Sequence, residues 1–490
     1  MIDAKLKSKT NEILKYTDDR LAQFKKGKHA WDRLMYSSIL MYRGIQWFTF
    51  DLLGLRYRLS NQRRVIPRPI TNKYAPTCNA IASSLLRFDP KIVIAPQTDT
   101  HEDMQTAWAG NRIIKTIENE VNFQKRRTEL TPWLVLTGNV FLISSNDERG
   151  GARKQVVKIA CPTCHMEATM NPQEQQMPDC PECYQNYGVK STLRPQIDGR
   201  SGKPLMAEET IGRQRTEVVN PFEMFFDNRI PELQNHQCII RIHQKDVGWA
   251  KARWPEIADE IKPYHRSELA ARLLNGLANM VFPSEQDTML DSVDVMEILE
   301  KPSPDYPQGF YAVRLGEKLL AELEPFKWKT GGGEPFFPIV HIPYDKVPGS
   351  MLARTPAFDL IEKQKIRNRV ESLGEMILMR MSNPVWLMPK PGTFDEPGGI
   401  PGQKIAWDPH QTDGHAPQRV EGARFPPAIV AWLDRSDRDF AEIPAMFEVS
   451  RGERPLSVKS GYAIQELKEL AADRNTGLFM NYAIAIAEWQ

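Results

Sequence analysis

The sequence predicts an α+β protein that is mostly helical and carries an inserted four-cysteine segment. Apolar residues recur near helical spacing through three long segments, 3–43, 102–138 and 356–383. Short strand-like runs, separated by Pro and Gly, fill residues 293–345. Four of the six cysteines lie in one short stretch, residues 161–183, which fits neither pattern.

Length, charge and hydropathy limit the function classes. A chain of 490 residues is too long for one simple core, so several domains or one large multi-part subunit are expected. The net charge of +2 excludes a bulk polyanion binder. The start is charged and lacks the apolar run of a signal peptide, and the segment WLVLTGNVFLI is too short to span a bilayer. We therefore expect synthesis in a reducing cytoplasm, no membrane partner, and buried free thiols at Cys78 and Cys238.

The N-terminal region predicts a helix over 3–43 that ends at Gly44. The basic, proline-containing stretch 56–74 is interpreted either as a solvated loop or as a contact with an acidic partner or DNA. A helix follows and ends before Pro90, and residues 91–96 predict a short strand.

The central region alternates between helix and strand signals. Residues 102–138 predict helices with a buried apolar end, and 139–145 predict a strand. Residues 218–230 predict a strand followed by a turn. The segment 245–261 predicts a helix that is interrupted at Pro255.

The strongest helix signal covers 356–383. Thr355 can cap this helix, Pro356 suits its first turn, and Asn383 with Pro384 ends it. At 1.5 Å per residue it would be about 40 Å long. We interpret it either as a long core helix or as a load-carrying strut. Its apolar stripe consists of Phe358, Ile361, Ile366, Val370, Leu373, Ile377 and Met381.

Two further helices are predicted near the C-terminus. The first covers 426–447, and its row of Asp434, Asp437 and Asp439 favours an acidic helix face over a metal site. The second begins at Ser460. The sequence ends on an apolar run without a helix stop signal, so we expect the natural chain to continue.

The four clustered cysteines predict a zinc site. Cys161 and Cys164 form one C-x-x-C pair, and Cys180 and Cys183 form a second at the spacing of four-cysteine zinc sites. Each pair turns the chain so that two thiolates face one point, and two pairs supply a tetrahedron. The alternatives are a disulfide pair, which a reducing cytoplasm disfavours, and a redox pair, which would not need a matched second copy. His165 is interpreted as a solvated residue rather than as a substitute ligand.

The charge of the cysteine segment indicates a structural role. Between Cys161 and Cys183 the sequence holds four acidic residues and no Lys or Arg, so a phosphate backbone would be repelled. Four thiolates also close the coordination shell, which argues against catalytic zinc. The expected cofactor is therefore structural zinc that stabilises an insertion poor in apolar residues. No phosphate loop, H-E-x-x-H or nucleophile elbow occurs, so no enzyme is expected.

The order of these segments resembles the portal proteins of tailed bacteriophages, especially those of the short-tailed type. The resemblance covers about 400 residues, and no single segment is diagnostic. The four-cysteine segment, which we interpret as a zinc ribbon, is not part of the usual portal pattern. It resembles an insertion into the peripheral part of the subunit, called the wing. The segments that carry the resemblance are YRGIQW, RPITNKY to LLRFDPKIVIAP, VVNPFEMFFD before DVGWAKARWPEI, the long helix after GSMLARTP, NPVWLMPKPG, and SRGERPLSVKSGYAIQELKE.

The resemblance implies a portal fold with a wing, a stem, a clip and the start of a crown. The implied parts are the wing over 1–159, a zinc-ribbon insertion over 160–190, the wing again over 191–243, a first stem helix region over 244–280, a β-rich clip over 281–350, the second stem helix over 351–384, a return to the wing over 385–448, a tunnel loop over 449–460, and a helix towards the crown over 461–490.

The resemblance also implies a ring, usually of twelve subunits, at one vertex of the virion capsid. Double-stranded DNA would be packaged and ejected through this ring, with the tunnel-loop residues Arg451, Arg454 and Lys459 touching its backbone. The implied partners are the terminase large subunit, the major capsid protein and head-tail adaptor or tail proteins, with assembly in the bacterial cytoplasm. A zinc-ribbon nucleic-acid-processing enzyme and another virion structural protein remain as alternatives.

Helix packing is compatible with such a ring. About twelve helices packed 8–10 Å apart give a circle roughly 30–38 Å across between helix axes. Subtracting one helix thickness of about 10 Å leaves a lumen that passes a duplex. The modest net charge also fits, because a strongly basic lining would hold DNA in place.

Overall fold

The computed structural model describes most of the chain and divides it into two compact units. The first unit comprises 1–92, 127–142 and 218–490, and the second comprises 93–126 and 143–217. The described residues are 2–50, 57–59, 67–147, 153–170, 177–181, 183, 190–197, 204–210, 212–264, 291–317, 319–382, 386–387, 418–419, 425–444 and 476–489.

The described residues form a mixed α+β structure, as predicted. The helices are α1 Ile2–Tyr42, α2 Tyr74–Arg87, α3 His101–Glu120, α4 Phe123–Thr137, α5 Val247–Arg253, α6 Pro356–Ser382, α7 Pro427–Glu442 and α8 Thr476–Trp489. The strands are β1 Phe48–Phe50, β2 Tyr57–Leu59, β3 Asn139–Asp147, β4 Arg153–Ala160, β5 Glu167–Met170, β6 Arg194–Pro195, β7 Met206–Thr210, β8 Arg213–Val219, β9 Met224–Phe225, β10 Cys238–Asp246, β11 Ser292–Glu300, β12 Phe310–Leu315, β13 Leu319–Glu324, β14 Ile339–Pro343, β15 Trp386–Leu387 and β16 Gln418–Arg419.

A five-stranded antiparallel sheet organises the first unit, in the order β13-β12-β11-β10-β9. Its central pair places Ile240 opposite Ile298. The N-terminal half of α1 packs on one face of this sheet through Ile13, Leu21 and Phe24. The opposite face packs against α5 and the segment that follows it. Because both faces are covered, most residues of β10 and β11 are buried, including the polar Arg241, Asp294 and Glu300.

The junction between α4 and β3 depends on one glycine. Gly138 has a φ of +72°, and a Cβ at this position would lie 2.8 Å from the carbonyl oxygen of Ala353. The backbone therefore needs glycine both for its conformation and for the close approach. The next residue, Asn139, accepts a hydrogen bond from the Ala353 N–H at 2.8 Å and one from His341 at 3.0 Å. This junction joins α4 to the segment that leads into α6.

Helix ends in the first half of the chain confirm the sequence predictions. The first helix ends at Tyr42, and Gly44 adopts a φ of +85°. Helix α2 ends at Arg87, before Pro90. The predicted strand at 91–96 is wrong, because the segment has no strand pairing and Ile94 bonds instead to the side chain of Asn111 in α3. Both backbone hydrogen-bonding groups of Ile94 thus find their partner on a helix and not on a neighbouring strand.

Of the expected first stem helix region, 244–280, the structure describes residues 244–264, and only part of these is helical. Residues 244–246 complete β10, α5 covers only Val247–Arg253, and a 3₁₀ turn follows at Pro255–Ile257. Pro255 lacks the N–H that would continue the helix. Within 281–350, the expected β-rich clip, strands β11, β12 and β13 share one sheet with β10, and β14 belongs to another sheet.

The second unit contains α3 and a small sheet that carries the cysteines. Strand β4 pairs with β5 on one side, and with β6 and β7 on the other. Among the residues that the structure describes, no helix combines the length and the apolar character needed to cross a bilayer.

Candidate functional sites

The four cysteines predicted as ligands come together at the end of β4. Cys161 follows the last residue of this strand, and the turn that contains Cys164 leads into β5. The Sγ atoms of Cys161 and Cys183 are 3.6 Å apart, and those of Cys164 and Cys180 are 3.4 Å apart. All four Sγ atoms lie within 4.8 Å of one another. The structure therefore brings both C-x-x-C pairs to one point.

Backbone hydrogen bonds shape the first cysteine turn. The Cys161 N–H donates to the Met166 carbonyl at 2.9 Å, and the Thr163 N–H points at the Cys161 sulfur at 3.4 Å. His165 adopts a φ of +59°, which closes the turn, and its own N–H donates to the Cys161 carbonyl. Its side chain is exposed and does not belong to the ligand group. The structure thus agrees with the interpretation of His165 as a solvated residue.

The second cysteine turn is supported by the segment that follows it. The Cys180 N–H donates to the Ser191 carbonyl at 2.7 Å, and the Leu193 N–H donates to the Pro178 carbonyl at 3.0 Å. These bonds hold residues 178–180 beside 191–193. Ser191 also places its hydroxyl 3.3 Å from the Cys161 sulfur, so one residue contacts both turns.

The sulfur cluster is buried within a small core of its own. Cys161, Cys180 and Cys183 are buried with Ile159, Met170 and Leu193, and Cys164 is half-buried. The hydrogen bond from Ser191 lowers the pKa of the Cys161 thiol to about 5. Burial raises the pKa of the Cys183 thiol to about 12.

The donor set and spacing suit a tetrahedral metal ion. Four sulfurs at about 2.3 Å from zinc would be separated by about 3.8 Å, close to the two measured distances. All six cysteines are free, so the alternative of a disulfide pair is not formed. Cys78 and Cys238 are buried, as predicted, and burial raises the pKa of each thiol.

A second candidate site is the surface of α6. Its apolar stripe begins in the core, where Phe358 and Ile361 are buried. Further along the helix, residues of the stripe are exposed: Ile366 is 39% exposed and Leu373 is 51% exposed. Met379 is similarly exposed at 52%. Of the two interpretations of α6, the long core helix fits its first two turns, while Leu373, Leu378 and Met379 in its second half are exposed and Val370 and Ile377 are half-buried.

From Gln364 onwards, the buried face of α6 is mainly polar. The amide of Gln364 donates to the Thr71 carbonyl and to Asn368, each at 2.9 Å. Asn368 in turn donates to Gln46 at 2.7 Å, and Ser372 donates to the Pro67 carbonyl at 2.6 Å. The helix therefore anchors part of the basic, proline-containing stretch. For residues 67–73 this favours a packed backbone over the predicted solvated loop.

The acidic row of α7 pairs with basic residues of α6. Asp437 accepts a hydrogen bond from Arg367 at 2.6 Å, and Asp439 accepts one from Lys363 at 2.8 Å. Lys73 also lies 3.4 Å from Asp437. The aspartates were expected to form an acidic helix face rather than a metal site. Two of them hold α7 against α6, and the only described group with metal-ligand geometry is the cysteine cluster.

Sequence reasoning missed Ser191 and the polar face of α6. No motif marks Ser191, because its contact with Cys161 depends on a turn formed by residues 30 positions away. The polar face of α6 could have been predicted, because Gln364, Asn368 and Ser372 recur every four residues and therefore share one face of the helix. The tunnel-loop residues Arg451, Arg454 and Lys459, by contrast, lie outside the described residues.

No protein-family model matches this sequence, and no curated protein matches it.

Proposed function

We propose that this chain is the subunit of a bacteriophage portal ring, through which double-stranded DNA enters and leaves a capsid. The observation that carries the proposal is the exposure of the apolar residues Ile366, Leu373, Leu378 and Met379 on α6, a helix whose inward face is mainly polar from Gln364 onwards. A neighbouring copy that covers these residues would remove apolar surface from water and stabilise the ring. The order of sequence segments that resembles portal proteins supports the same function.

The dimensions of α6 are compatible with a stem element. It has 27 residues, which corresponds to about 40 Å at 1.5 Å per residue. Its inward face is tied by hydrogen bonds and ion pairs, so the subunit holds the helix in place without using the exposed apolar residues. In the proposed ring, α6 lies against neighbouring subunits, and the terminase, capsid and adaptor proteins bind elsewhere on the assembly.

The proposed ring is tested by native mass spectrometry and negative-stain imaging. A portal subunit gives closed rings with a central hole. A zinc-ribbon enzyme gives no such ring, and another virion protein gives an assembly of different form. Solid particles or a stable monomer would refute the portal function.

Leu373→Asp tests the role of α6 directly. Leu373 is already half-exposed, so the new charge leaves the subunit folded but places an unpaired carboxylate in the proposed interface. We expect folded subunits that no longer form rings. The control is Glu375→Gln, an exposed position on the other side of the same helix. Normal rings in Leu373→Asp would show that α6 is not the contact surface.

We also propose that the cysteine cluster holds one structural zinc ion per chain. Four thiolates saturate a tetrahedral ion and leave no position for a substrate. The ion would join the two cysteine turns, whose own apolar core is small. Elemental analysis of freshly purified protein should find about one zinc per chain, and its absence would refute this assignment.

A further inference from the structure

One residue outside the two C-x-x-C pairs, Ser191, also contacts the proposed zinc site. The Ser191 hydroxyl lies 3.3 Å from the Cys161 sulfur and 3.1 Å from the Thr163 hydroxyl. Ser191 itself is 8% exposed, and its carbonyl accepts the Cys180 N–H at 2.7 Å. One residue thus contacts both cysteine turns, with its side chain on one and its backbone on the other.

The charge of the filled site explains why such a donor matters. One divalent ion with four thiolates carries a net charge of −2, and the sulfurs lie in an apolar core. Negative charge in such surroundings needs hydrogen-bond donors. The Thr163 N–H also approaches the Cys161 sulfur, at 3.4 Å, and the Cys164 N–H hydrogen-bonds to the same sulfur.

The sequence around the cysteines offers little other compensation. Between Cys161 and Cys183 there is no Lys or Arg, while Glu167 and Asp179 add negative charge. A neutral hydroxyl supplies a positive hydrogen end without an additional ion. Its backbone bond to Cys180 fixes the position from which the hydroxyl reaches Cys161. The hydroxyl is therefore held by the second turn and acts on the first.

We propose that Ser191 is a positioning residue of the metal centre, whose hydroxyl hydrogen-bonds the Cys161 thiolate and increases zinc affinity. This inference rests on the proposed zinc site. Outer-shell donors of this kind typically change metal affinity by about 10–100-fold. The hydroxyl also lowers the nucleophilicity of the Cys161 sulfur, because a hydrogen bond withdraws electron density from it.

The test compares Ser191→Ala with Ser191→Thr in the full-length protein. The alanine removes only the hydroxyl and keeps the backbone bond to Cys180, whereas the threonine restores a hydroxyl. The matched control is Thr192→Ala, because the neighbouring Thr192 hydroxyl donates to Asp179 at 3.3 Å and contacts no sulfur. Zinc affinity is measured by competition with a chromophoric chelator, and unfolding temperatures are recorded for the zinc-free and zinc-loaded proteins.

We expect zinc affinity to fall by about 10–100-fold in Ser191→Ala and to be restored in Ser191→Thr. Thr192→Ala should bind zinc like the unmodified protein. If Ser191→Thr does not fold, the comparison of Ser191→Ala with Thr192→Ala still decides the result. Unchanged affinity in Ser191→Ala would overturn the proposal.

Alkylation of the zinc-loaded protein separates a positioning role from a merely structural one. Iodoacetamide labelling mapped by mass spectrometry should accelerate at Cys161 in Ser191→Ala and not at the other three ligands. Equal acceleration at all four would indicate general loosening and would overturn the specific role. If the unmodified protein binds neither Zn²⁺ nor Co²⁺, the zinc site itself fails, which is a distinct outcome from failure of the Ser191 role.

Discussion

Glu300 is a carboxyl group buried where α1 meets the five-stranded sheet, and it is 1% exposed. It accepts a hydrogen bond from the Gln237 amide at 3.2 Å, and the Tyr16 hydroxyl and the Cys238 thiol also bond to it. Burial nevertheless raises the pKa of Glu300, because these neutral donors only partly replace the lost water. Glu300 therefore makes stability depend on pH.

The sign of this dependence follows from proton linkage. The folded chain binds the Glu300 proton more tightly than the unfolded chain does, so the stabilisation is fully present below the unfolded pKa. It is lost as pH rises through the raised folded pKa. Glu300→Gln removes the ionisation while keeping the shape of the side chain. We expect chemical denaturation at several pH values to show a smaller loss of stability above the ordinary carboxyl range.

The control for this measurement is Glu324→Gln, at an exposed residue of the same sheet. This change should leave the pH dependence nearly unaltered. An unchanged pH profile in Glu300→Gln would contradict the role given to Glu300.

At the scale of elements, Arg127 connects three segments of the first unit. Its guanidinium donates to Asp89 at 2.6 Å, to the Phe88 carbonyl at 2.5 Å and to the Tyr482 hydroxyl at 3.2 Å. The residue is 4% exposed, so its donors depend on these partners. Arg127 thus caps the end of α2 and holds α8 beside it.

The ring of Phe479 strengthens the contact between α2 and α8. Its centroid lies 4.7 Å from that of Phe88, and α8 buries Leu478, Tyr482 and Ile486 on the same side. The opposite side of α8 exposes Met480 and Ile484. Helix α8 therefore has apolar residues on both sides, and Tyr482 and Asn481 make polar contacts with other segments of the first unit.

Tyr482→Phe should loosen α8 without unfolding the first unit. The change removes one buried hydrogen bond from Arg127 and keeps the aromatic ring, so a loss of about 0.5–1.5 kcal/mol is expected. Hydrogen exchange should become faster in α8 and remain unchanged in β10 and β11. The control is Tyr42→Phe, which removes an exposed hydrogen bond to Asn79. Equal effects of Tyr482→Phe and Tyr42→Phe would contradict the proposed role of the hydrogen bond between Arg127 and Tyr482.

At the scale of the whole molecule, the proposed ring has to pass DNA without holding it. The net charge of +2 is compatible with sliding, because a strongly basic channel would bind phosphates through many released counterions. The loop 449–460 was predicted to touch the DNA backbone. Its charged residues are Arg451, Glu453, Arg454 and Lys459, a small positive surplus that a ring would repeat around the duplex.

Arg451→Ala combined with Arg454→Ala tests this loop. If the arginines contact phosphates, rings should form normally while DNA packaging or retention decreases. The alternative is that both arginines pair with acidic residues of neighbouring subunits, and rings would then fail to form. Unchanged packaging would remove the loop from the DNA path.

The sequence alone determined those features that depend on neighbours along the chain. Gly44 and Pro90 predicted helix ends because glycine allows a positive φ and proline restricts the residue before it. The two C-x-x-C pairs predicted the ligand group because each turn is local. Likewise, the bounds of α6 were predicted to within one residue from Pro356 and Asn383.

Only the tertiary structure decided how these elements face one another. The stripe of α6 looked like a core face, yet Leu373 is exposed, because Gln364 and Asn368 turn inwards to bond other segments. The strand predicted at 91–96 was wrong because its hydrogen-bond partner, Asn111, comes from a helix. Ser191 reaches Cys161 only through folding of a distant segment. Periodicity reports which residues share a face, whereas long-range contacts decide what that face meets.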